Sequence, residues 1–145
     1  MQALILAEAR DWIGTPYLHQ GSTKGAGTDC LGLLRGVWRA TLGVEPEVPP
    51  PYSEDWAEPA RREVLFHVAE RWLFRKPLDE SGLADVLLFR MCDGGIAKHL
   101  GIQSEIGAFP RFVHAYTGHG VVESPLSRPW QRRIVARFAF PLGAG

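Results

Sequence analysis

Hydrophobic positions in the first half of the chain recur every three to four residues, which is the spacing of an amphipathic helix. The pattern predicts three helices, over residues 1–13, 29–42 and 58–74. Glycine follows the first two and proline follows the third, and both residues commonly end helices. The second helix carries Gly32 and Gly36 on one face, which lets a neighbour approach closely, so we expect this helix to be central and buried.

The segments that join these helices lack a regular hydrophobic period. Residues 14–28 are too rich in glycine for regular structure, and a loop of this length is more often functional than merely connecting. Residues 44–52 contain four prolines, so they predict an extended connector.

After Pro77 the hydrophobic period changes to two, the period of a β-strand with one buried face. The alternation predicts five strands, over residues 85–91, 96–103, 111–116, 120–123 and 133–140. Helices followed by a meander of strands are typical of an α+β fold, here with N-terminal helices packed on an antiparallel sheet of about five strands. The chain has no repeat, low-complexity tract or linker, so its 145 residues predict a single domain over 1–145.

One cysteine lies where a predicted helix begins. Thr28 and Asp29 are both favourable N-cap residues, and they place Cys30 in the first turn of the second helix. The positive end of the helix dipole stabilises a thiolate there, so the position is typical of a nucleophile. The alternative is a small buried hydrophobic residue, a common role for free cysteine. The glycine-rich approach favours the nucleophile, because it lets backbone and solvent come close.

A cysteine nucleophile needs a base, and two of the five histidines lie in predicted strands. His99 and His114 flank a turn centred near Ile106 and Gly107. A hairpin centred there would oppose the two histidines directly, with their Cβ atoms ~5 Å apart. One imidazole would then take the proton from Cys30 and the other would orient the first, which predicts a Cys-His-His triad.

The composition excludes several classes of function. Sixteen basic and sixteen acidic residues give no net charge, so we expect no nucleic-acid partner. Four arginines near the C-terminus are interpreted as a solvated strand face: Arg128, Arg132, Arg133 and Arg137. Two cysteines are too few for a disulfide framework. The chain lacks CxxC and HExxH motifs, so we expect no metal and no other cofactor.

Two further patterns bear on where the protein is expected to act. The N-terminus lacks the basic and apolar regions of a signal peptide, and no apolar run approaches the ~20 residues of a membrane span. We therefore expect no membrane partner, and a protein that stays in the cytoplasm unless something else carries it out.

Several segments, in order, resemble the NlpC-type cell-wall cysteine peptidases. The resemblance covers about residues 10–141 and is carried by the Tyr17 segment, Asp29-Cys30, the strand at 84–89, Lys98-His99-Leu100-Gly101-Ile102 and Phe112-Val113-His114-Ala115. It is closer still to the phage and gene-transfer-agent branch. The features of that branch are Gly14-Thr15-Pro16-Tyr17, Asp29-Cys30-Leu31-Gly32-Leu33 and a closing segment from Val121 to Val135.

The resemblance implies a papain-like fold and hydrolysis of amide bonds in peptidoglycan stem peptides, typically beside a D-γ-glutamyl unit. It implies Cys30 as nucleophile, His99 as base and His114 as the orienting residue. Tyr17 is either a helper at the oxyanion or a packed loop aromatic. Asp29 is a helix cap, a contact for the substrate's amine, or both. The branch implies association with phage or gene-transfer-agent tail proteins and action at the cell wall.

Other interpretations stay open beside this one. A structural tail-tip component could keep the fold without activity, although it would predict loss of triad residues and all three are present. A papain-like amidase or acyltransferase could use the same residues on another acyl group. Many family members carry serine directly after the cysteine. Here that residue is Leu31, which predicts weaker recognition of a free stem-peptide amine.

Overall fold

The computed structural model describes residues 1–49, 51, 59–90 and 97–141, without the side chains of 59–63, 97 and 98. Three helices confirm the three predicted ones: α1 (Gln2–Asp11), α2 (Cys30–Thr41) and α3 (Pro59–Trp72). A fourth, α4 (Arg128–Gln131), has no counterpart in the sequence prediction, because four residues are too few to display a helical period. None of the helices in the described ranges is long and apolar enough to cross a membrane.

The main sheet has six antiparallel strands in the order β3-β8-β4-β5-β6-β7. Its strands are β3 (Phe74–Lys76), β4 (Val86–Arg90), β5 (Ala97–Glu105), β6 (Arg111–Tyr116), β7 (Gly120–Pro125) and β8 (Ile134–Ala139). Five coincide with the predicted strands, and the α+β fold is confirmed. Strand β3 begins at Phe74, where the third helix was predicted to end. It forms by pairing with β8 at the sheet edge, a partner 65 positions away that no local pattern announces.

The loop before α2 contains a small hairpin of its own. Strands β1 (Ser22–Thr23) and β2 (Gly27–Thr28) pair in antiparallel fashion, so the prediction of no regular structure over residues 14–28 was wrong. Glycine lowers strand propensity but does not prevent a ladder where neighbouring backbone groups need partners.

The main hydrophobic core lies between the first three helices and one face of the sheet. Helix α2 is central, and most of its residues from the first turn onward are buried. A Cβ atom at Gly36 would lie 2.0 Å from Cζ2 of Trp12, so this glycine is what allows α1 and α2 to pack so closely. The expectation of a buried central helix is confirmed.

The other face of the sheet carries a second, smaller hydrophobic cluster. Its members alternate along the strands with those of the main core, as the two-residue period of a strand requires. The segment that leads into α4 covers this cluster, whose residues are Leu87, Phe89, Phe112 and Leu126, with Trp130 and Ile134 packed against them.

A buried charge cluster joins three strands beside that second cluster. Asp85 accepts hydrogen bonds from Arg137 Nη1 at 2.8 Å, from Lys76 Nζ at 2.9 Å and from the Gly82 amide at 2.8 Å. Arg137 is only 3% exposed, so its assignment to a solvated strand face was wrong. Replacing Asp85 would leave the buried guanidinium of Arg137 without its carboxylate partner, and breaking a buried ion pair in this way commonly costs about 3–5 kcal/mol. Asp85 therefore holds β3, β4 and β8 together.

The other three arginines of that set lie in α4 or directly after it. Arg128 and Arg132 are exposed, which agrees with the solvated part of the prediction. The guanidinium of Arg133 lies over the Trp130 ring at 5.7 Å. A solvated face therefore describes two of the four residues.

Ala84, just before β4, has an unusual backbone conformation. Its φ is +68°, in the left-handed region that costs an L-residue roughly 1–2 kcal/mol. The residue is also buried, at 3% exposure, and its amide donates to the carbonyl of Gln103 at 2.8 Å. The surrounding hydrogen bonds therefore hold Ala84 in a conformation that glycine would adopt without strain.

We expect Ala84→Gly to change the free energy of unfolding by less than about 0.5 kcal/mol. Relief of the strain offsets the lost methyl burial of about 0.8 kcal/mol and the added freedom of the unfolded chain, ~0.4–1 kcal/mol. Ala136→Gly is the matched control, because Ala136 is fully buried in β8 without a positive φ. It should cost about 1–2 kcal/mol. Urea unfolding measures both, and equal losses would contradict the strain at Ala84.

Candidate active site

The start of α2 is fixed by one buried carboxylate. Asp29 is the N-cap, and its Oδ1 accepts a hydrogen bond from the Gly32 amide at 2.7 Å. Its Oδ2 accepts from the Gln20 amide at 2.8 Å, so the same side chain also holds the preceding loop. The side chain is fully buried. The prediction that Asp29 caps the helix is confirmed.

The loop before α2 folds back so that Tyr17 lies beside the residues that precede the helix. Tyr17 and Thr28 form a parallel bridge, in which the Leu18 amide donates to Thr28 and the Thr28 amide donates to Pro16, both at 3.0 Å. The Tyr17 side chain is half-buried against the main core. The fold therefore brings Tyr17 within two positions of Cys30 along the paired backbone.

Cys30 is the first residue of α2 and is 1% exposed. Helix α2 packs against β5 and β6, the strands that carry the two histidines. The loop before it is also tied to the start of β7, because the Val121 amide donates to the Thr15 carbonyl at 2.9 Å. That end of the β6–β7 hairpin includes Tyr116, whose ring centroid is 5.9 Å from that of His99. The first turn of α2 and His99 therefore lie at the same end of the sheet. Cys92 lies outside the described residues.

The two strand histidines contact each other directly. His99 Nε2 is 2.8 Å from His114 Nδ1, and both side chains are buried. The other nitrogen of His114, Nε2, is 2.9 Å from the hydroxyl oxygen of Ser124 in β7. A row of hydrogen bonds thus runs from His99 through His114 to Ser124.

The strand register that makes this contact differs from the predicted one. Ile102 pairs with Val113, and continuing that register places His114 across from Gly101 rather than from His99. The prediction of direct opposition was therefore wrong by two residues. A Cβ atom at Gly101 would lie 3.2 Å from Cβ of His114 and 2.7 Å from the Phe112 ring. Because that space is empty, the diagonal pair of imidazoles can meet.

Aromatic rings surround both imidazoles. Phe112 stacks on His114 with centroids 4.1 Å apart, and Trp130 lies 5.4 Å from His114 and 5.9 Å from His99. Phe112 alternates with His114 along β6, so a two-residue period could have identified it. Trp130 and Ser124 carry no signal of this kind, and both were missed by the sequence analysis.

These surroundings set the charge of the second histidine. Burial, with a smaller contribution from electrostatic repulsion by the nearby His119, lowers the pKa of His114 from 6.5 to about 4. His114 is therefore neutral near pH 7. A neutral imidazole donates one hydrogen bond and accepts one, which suits a residue that orients another histidine.

No protein-family model matches the chain. The murein DD-endopeptidase MepS/murein LD-carboxypeptidase of Escherichia coli K12 is 30% identical over 136 residues, which is 92% of this chain and 60% of that protein. The gamma-DL-glutamyl hydrolase of Bacillus subtilis 168 is 38% identical over 53 residues, which is 37% of this chain and 12% of that protein. The solved NlpC/p60 domain of the peptidoglycan hydrolase SagA superposes with a TM-score of 0.66 at 22% identity, over 97% of this chain and 99% of that domain.

The protein has the NlpC/P60 fold. Its papain-like architecture, expected from the motifs, is confirmed, and its relatives are named as peptidoglycan hydrolases. The chain spans less than two thirds of the length of the Escherichia coli relative.

Two other features of this NlpC/P60 fold lie outside the candidate site. A cavity of about 350 Å³ includes neither Cys30 nor either histidine among its lining residues, which come from the region of Leu78, Gln103, Leu126, Gln131 and Arg137. Among the described residues, no group of three or more histidine, cysteine, aspartate or glutamate side chains is arranged to hold a metal ion.

The lowered pKa of His114 predicts how stability depends on pH. Between pH 6.5 and about 4 the folded protein binds fewer protons than the unfolded chain, so stability falls as pH falls through this window. The contribution is fully present above pH 6.5, and its loss is on the order of 3 kcal/mol. His114→Gln should show a correspondingly smaller decrease between pH 7 and pH 4. Urea unfolding at both pH values measures this, and an unchanged decrease would contradict the assignment.

Proposed function

We propose that the protein is a cysteine peptidase that hydrolyses amide bonds in peptidoglycan peptides. The observation that carries the proposal is the hydrogen bond between His99 and His114, at the end of the sheet where α2 begins with Cys30. A buried imidazole pair, with a cysteine at a helix N-terminus at the same end of the sheet, would supply a nucleophile, a base and an orienting group.

In this proposal Cys30 is the nucleophile. Its sulfur lies at the N-terminus of a twelve-residue helix, where the helix dipole stabilises a developing thiolate. The thiolate attacks the carbonyl carbon of the scissile amide and forms a tetrahedral intermediate. Tyr17 is proposed to donate a hydrogen bond to its oxyanion, which the return of the loop toward Thr28 supports.

His99 is the proposed base and His114 the residue that orients it. Because Nε2 of His99 faces His114, the proton from the thiol goes to Nδ1 of His99. The imidazolium then gives this proton to the leaving amine as the carbon–nitrogen bond breaks. Water, deprotonated by His99, hydrolyses the acyl-enzyme and releases the carboxylic acid and the thiol.

The environments of Asp29 and Leu31 bear on how a substrate amine could be recognised. Both carboxylate oxygens of Asp29 accept backbone hydrogen bonds, so capping is its first role and any contact with an amine is additional. Leu31 is fully buried in the main core, and its apolar side chain has no group that could accept a hydrogen bond from a substrate amine. We propose a cleft that tolerates a blocked amine and that accepts stem peptides still attached to glycan.

The names of the relatives support the substrate class. One is a murein endopeptidase, another a gamma-DL-glutamyl hydrolase, and the superposed domain belongs to a peptidoglycan hydrolase. We propose cleavage beside a D-γ-glutamyl unit within the stem peptide.

The intact imidazole pair argues against a catalytically silent component, because a scaffold would not require it. An amidase or acyltransferase acting on another acyl group would use the same residues, and only the products distinguish it.

We also propose association with a phage or gene-transfer-agent tail, as the Gly14–Tyr17 and Asp29–Leu33 motifs suggest. A tail would carry the enzyme to the cell wall. Mass spectrometry of tail particles purified from the source organism tests this, and particles without the protein would contradict it.

Cys30→Ala should abolish the release of muropeptides from intact sacculi, because no other group is proposed to form the acyl-enzyme. Cys92→Ala is the matched control and should retain activity. Muropeptide mass spectrometry identifies the bond that is cut.

Iodoacetamide at neutral pH should label Cys30 well before Cys92 in the folded protein, and EDTA should leave turnover unchanged. Equal labelling, or full activity in Cys30→Ala, would refute the nucleophile.

The two histidines should respond differently to substitution. His99→Gln removes the base and should lower kcat by about 10²–10⁴-fold. His114→Gln keeps a side-chain amide beside His99 and should retain more activity. Steady-state kinetics on the same muropeptide compares the two, with circular dichroism as the control for folding. The reverse order would mean that the two roles are exchanged.

A further inference from the structure

The contact between His114 and Ser124 has no role in the mechanism above. We propose that Ser124 is a positioning residue, which accepts a hydrogen bond from His114 and thereby fixes the proton on each imidazole. Its hydroxyl oxygen is 2.9 Å from His114 Nε2, at the far end of the row that begins at His99. The inference rests on the proposed function in one respect, the assignment of His99 as the base.

The hydrogen bonds of this row can point in two directions, depending on which nitrogen of each imidazole carries the proton. In one, His99 Nε2–H donates to His114 Nδ1, and His114 Nε2–H donates to Ser124. In the other, Ser124 donates to His114 Nε2, and His114 Nδ1–H donates to His99 Nε2. Each neutral imidazole carries one proton, so the direction decides which nitrogen of His99 is basic. Only the first direction leaves Nδ1 of His99 able to take the proton of Cys30.

The protonated state of His99, which forms when it takes the thiol proton, requires the first direction. Once His99 has taken the thiol proton, both of its nitrogens carry hydrogen, and Nε2–H must find an acceptor. His114 is the residue at 2.8 Å, and it can accept at Nδ1 only if its own proton is on Nε2. Burial keeps His114 neutral, so it cannot donate from both nitrogens instead. The proton on His114 Nε2 then requires the oxygen of Ser124.

The position of Ser124 suits an acceptor. It lies in β7, two residues beyond Val122, the residue paired with His114, so both side chains are on the same face of the sheet. Ser124 is half-buried, so its hydroxyl can donate a hydrogen bond to solvent water while its oxygen accepts one from His114. Without that oxygen, His114 would gain by moving its proton to Nδ1, which reverses the row.

The test compares Ser124→Thr with Ser124→Val, two side chains of the same shape that differ in the hydroxyl. Ser104→Ala is the control for a lost serine hydrogen bond nearby, because Ser104 donates to Glu123 at 2.7 Å without touching an imidazole. Nitrogen-15 NMR of labelled histidines reports the tautomers without any substrate. The rate of iodoacetamide labelling of Cys30 at pH 6 reports thiolate formation, and kcat and KM are measured on muropeptides.

In the native protein and in Ser124→Thr, we expect His114 to carry its proton on Nε2. In Ser124→Val we expect a substantial population with the proton on Nδ1, slower labelling of Cys30 by about threefold to tenfold, and about tenfold lower kcat at unchanged KM. Ser104→Ala should match the native protein in all of these.

A native protein with the His114 proton on Nδ1 would overturn the inference, and so would equal tautomers and labelling rates in the threonine and valine variants. The native spectrum decides even if the valine variant does not fold. If the native protein leaves peptidoglycan uncut, the proposed function fails, and the NMR and labelling results still decide the role of Ser124.

Discussion

The hydrogen bonds to the buried carboxylate of Asp29 are the constraint on which the candidate site depends. One oxygen caps the N-terminus of α2, and the other accepts a hydrogen bond from the preceding loop. A single side chain therefore sets the distance between the helix and the loop. Its loss would leave the buried Gly32 amide without its acceptor, at about 1–3 kcal/mol, and would release the Gln20 amide of the loop. These two hydrogen bonds help to fix Cys30 at the start of α2 and to hold the loop in which Tyr17 pairs with Thr28. The carboxylate that aligns the helix is thus also the one that closes the loop against it.

The imidazole pair depends on a different constraint, the absence of a side chain at Gly101. Cross-strand neighbours that are diagonal lie farther apart than opposed ones, and only long or aromatic side chains bridge that gap. Here the empty position lets His114 lean across the strand, and Phe112 and Trp130 then enclose the pair. The same rings that enclose the pair bury His114, and this burial lowers its pKa so that it is neutral near pH 7.

Features set by local chemistry could be predicted from the sequence, and those set by distant partners could not. The start of α2 was predictable because the Asp29 cap and the apolar period are local signals. The two histidines were predictable as a pair, but their register was not. The β5–β6 connection occupies residues 106–110, and a bulge near Glu105 moves the centre of the hairpin. The buried state of Arg137 depends on Asp85, 52 positions earlier, and strand β3 depends on β8.

The contact between Gly32 and the loop has an evolutionary consequence. A Cβ atom at Gly32 would lie 1.8 Å from the Gly21 carbonyl oxygen, so helix and loop meet backbone to backbone. No substitution at position 32 can be accommodated by a small adjustment, and at the hairpin tip a side chain on Gly25 would be strained by its φ of +82°, although the space around it is open. A lineage that varied the loop one residue at a time would therefore have to keep glycine at position 32, and with it the place of Cys30 at the start of α2.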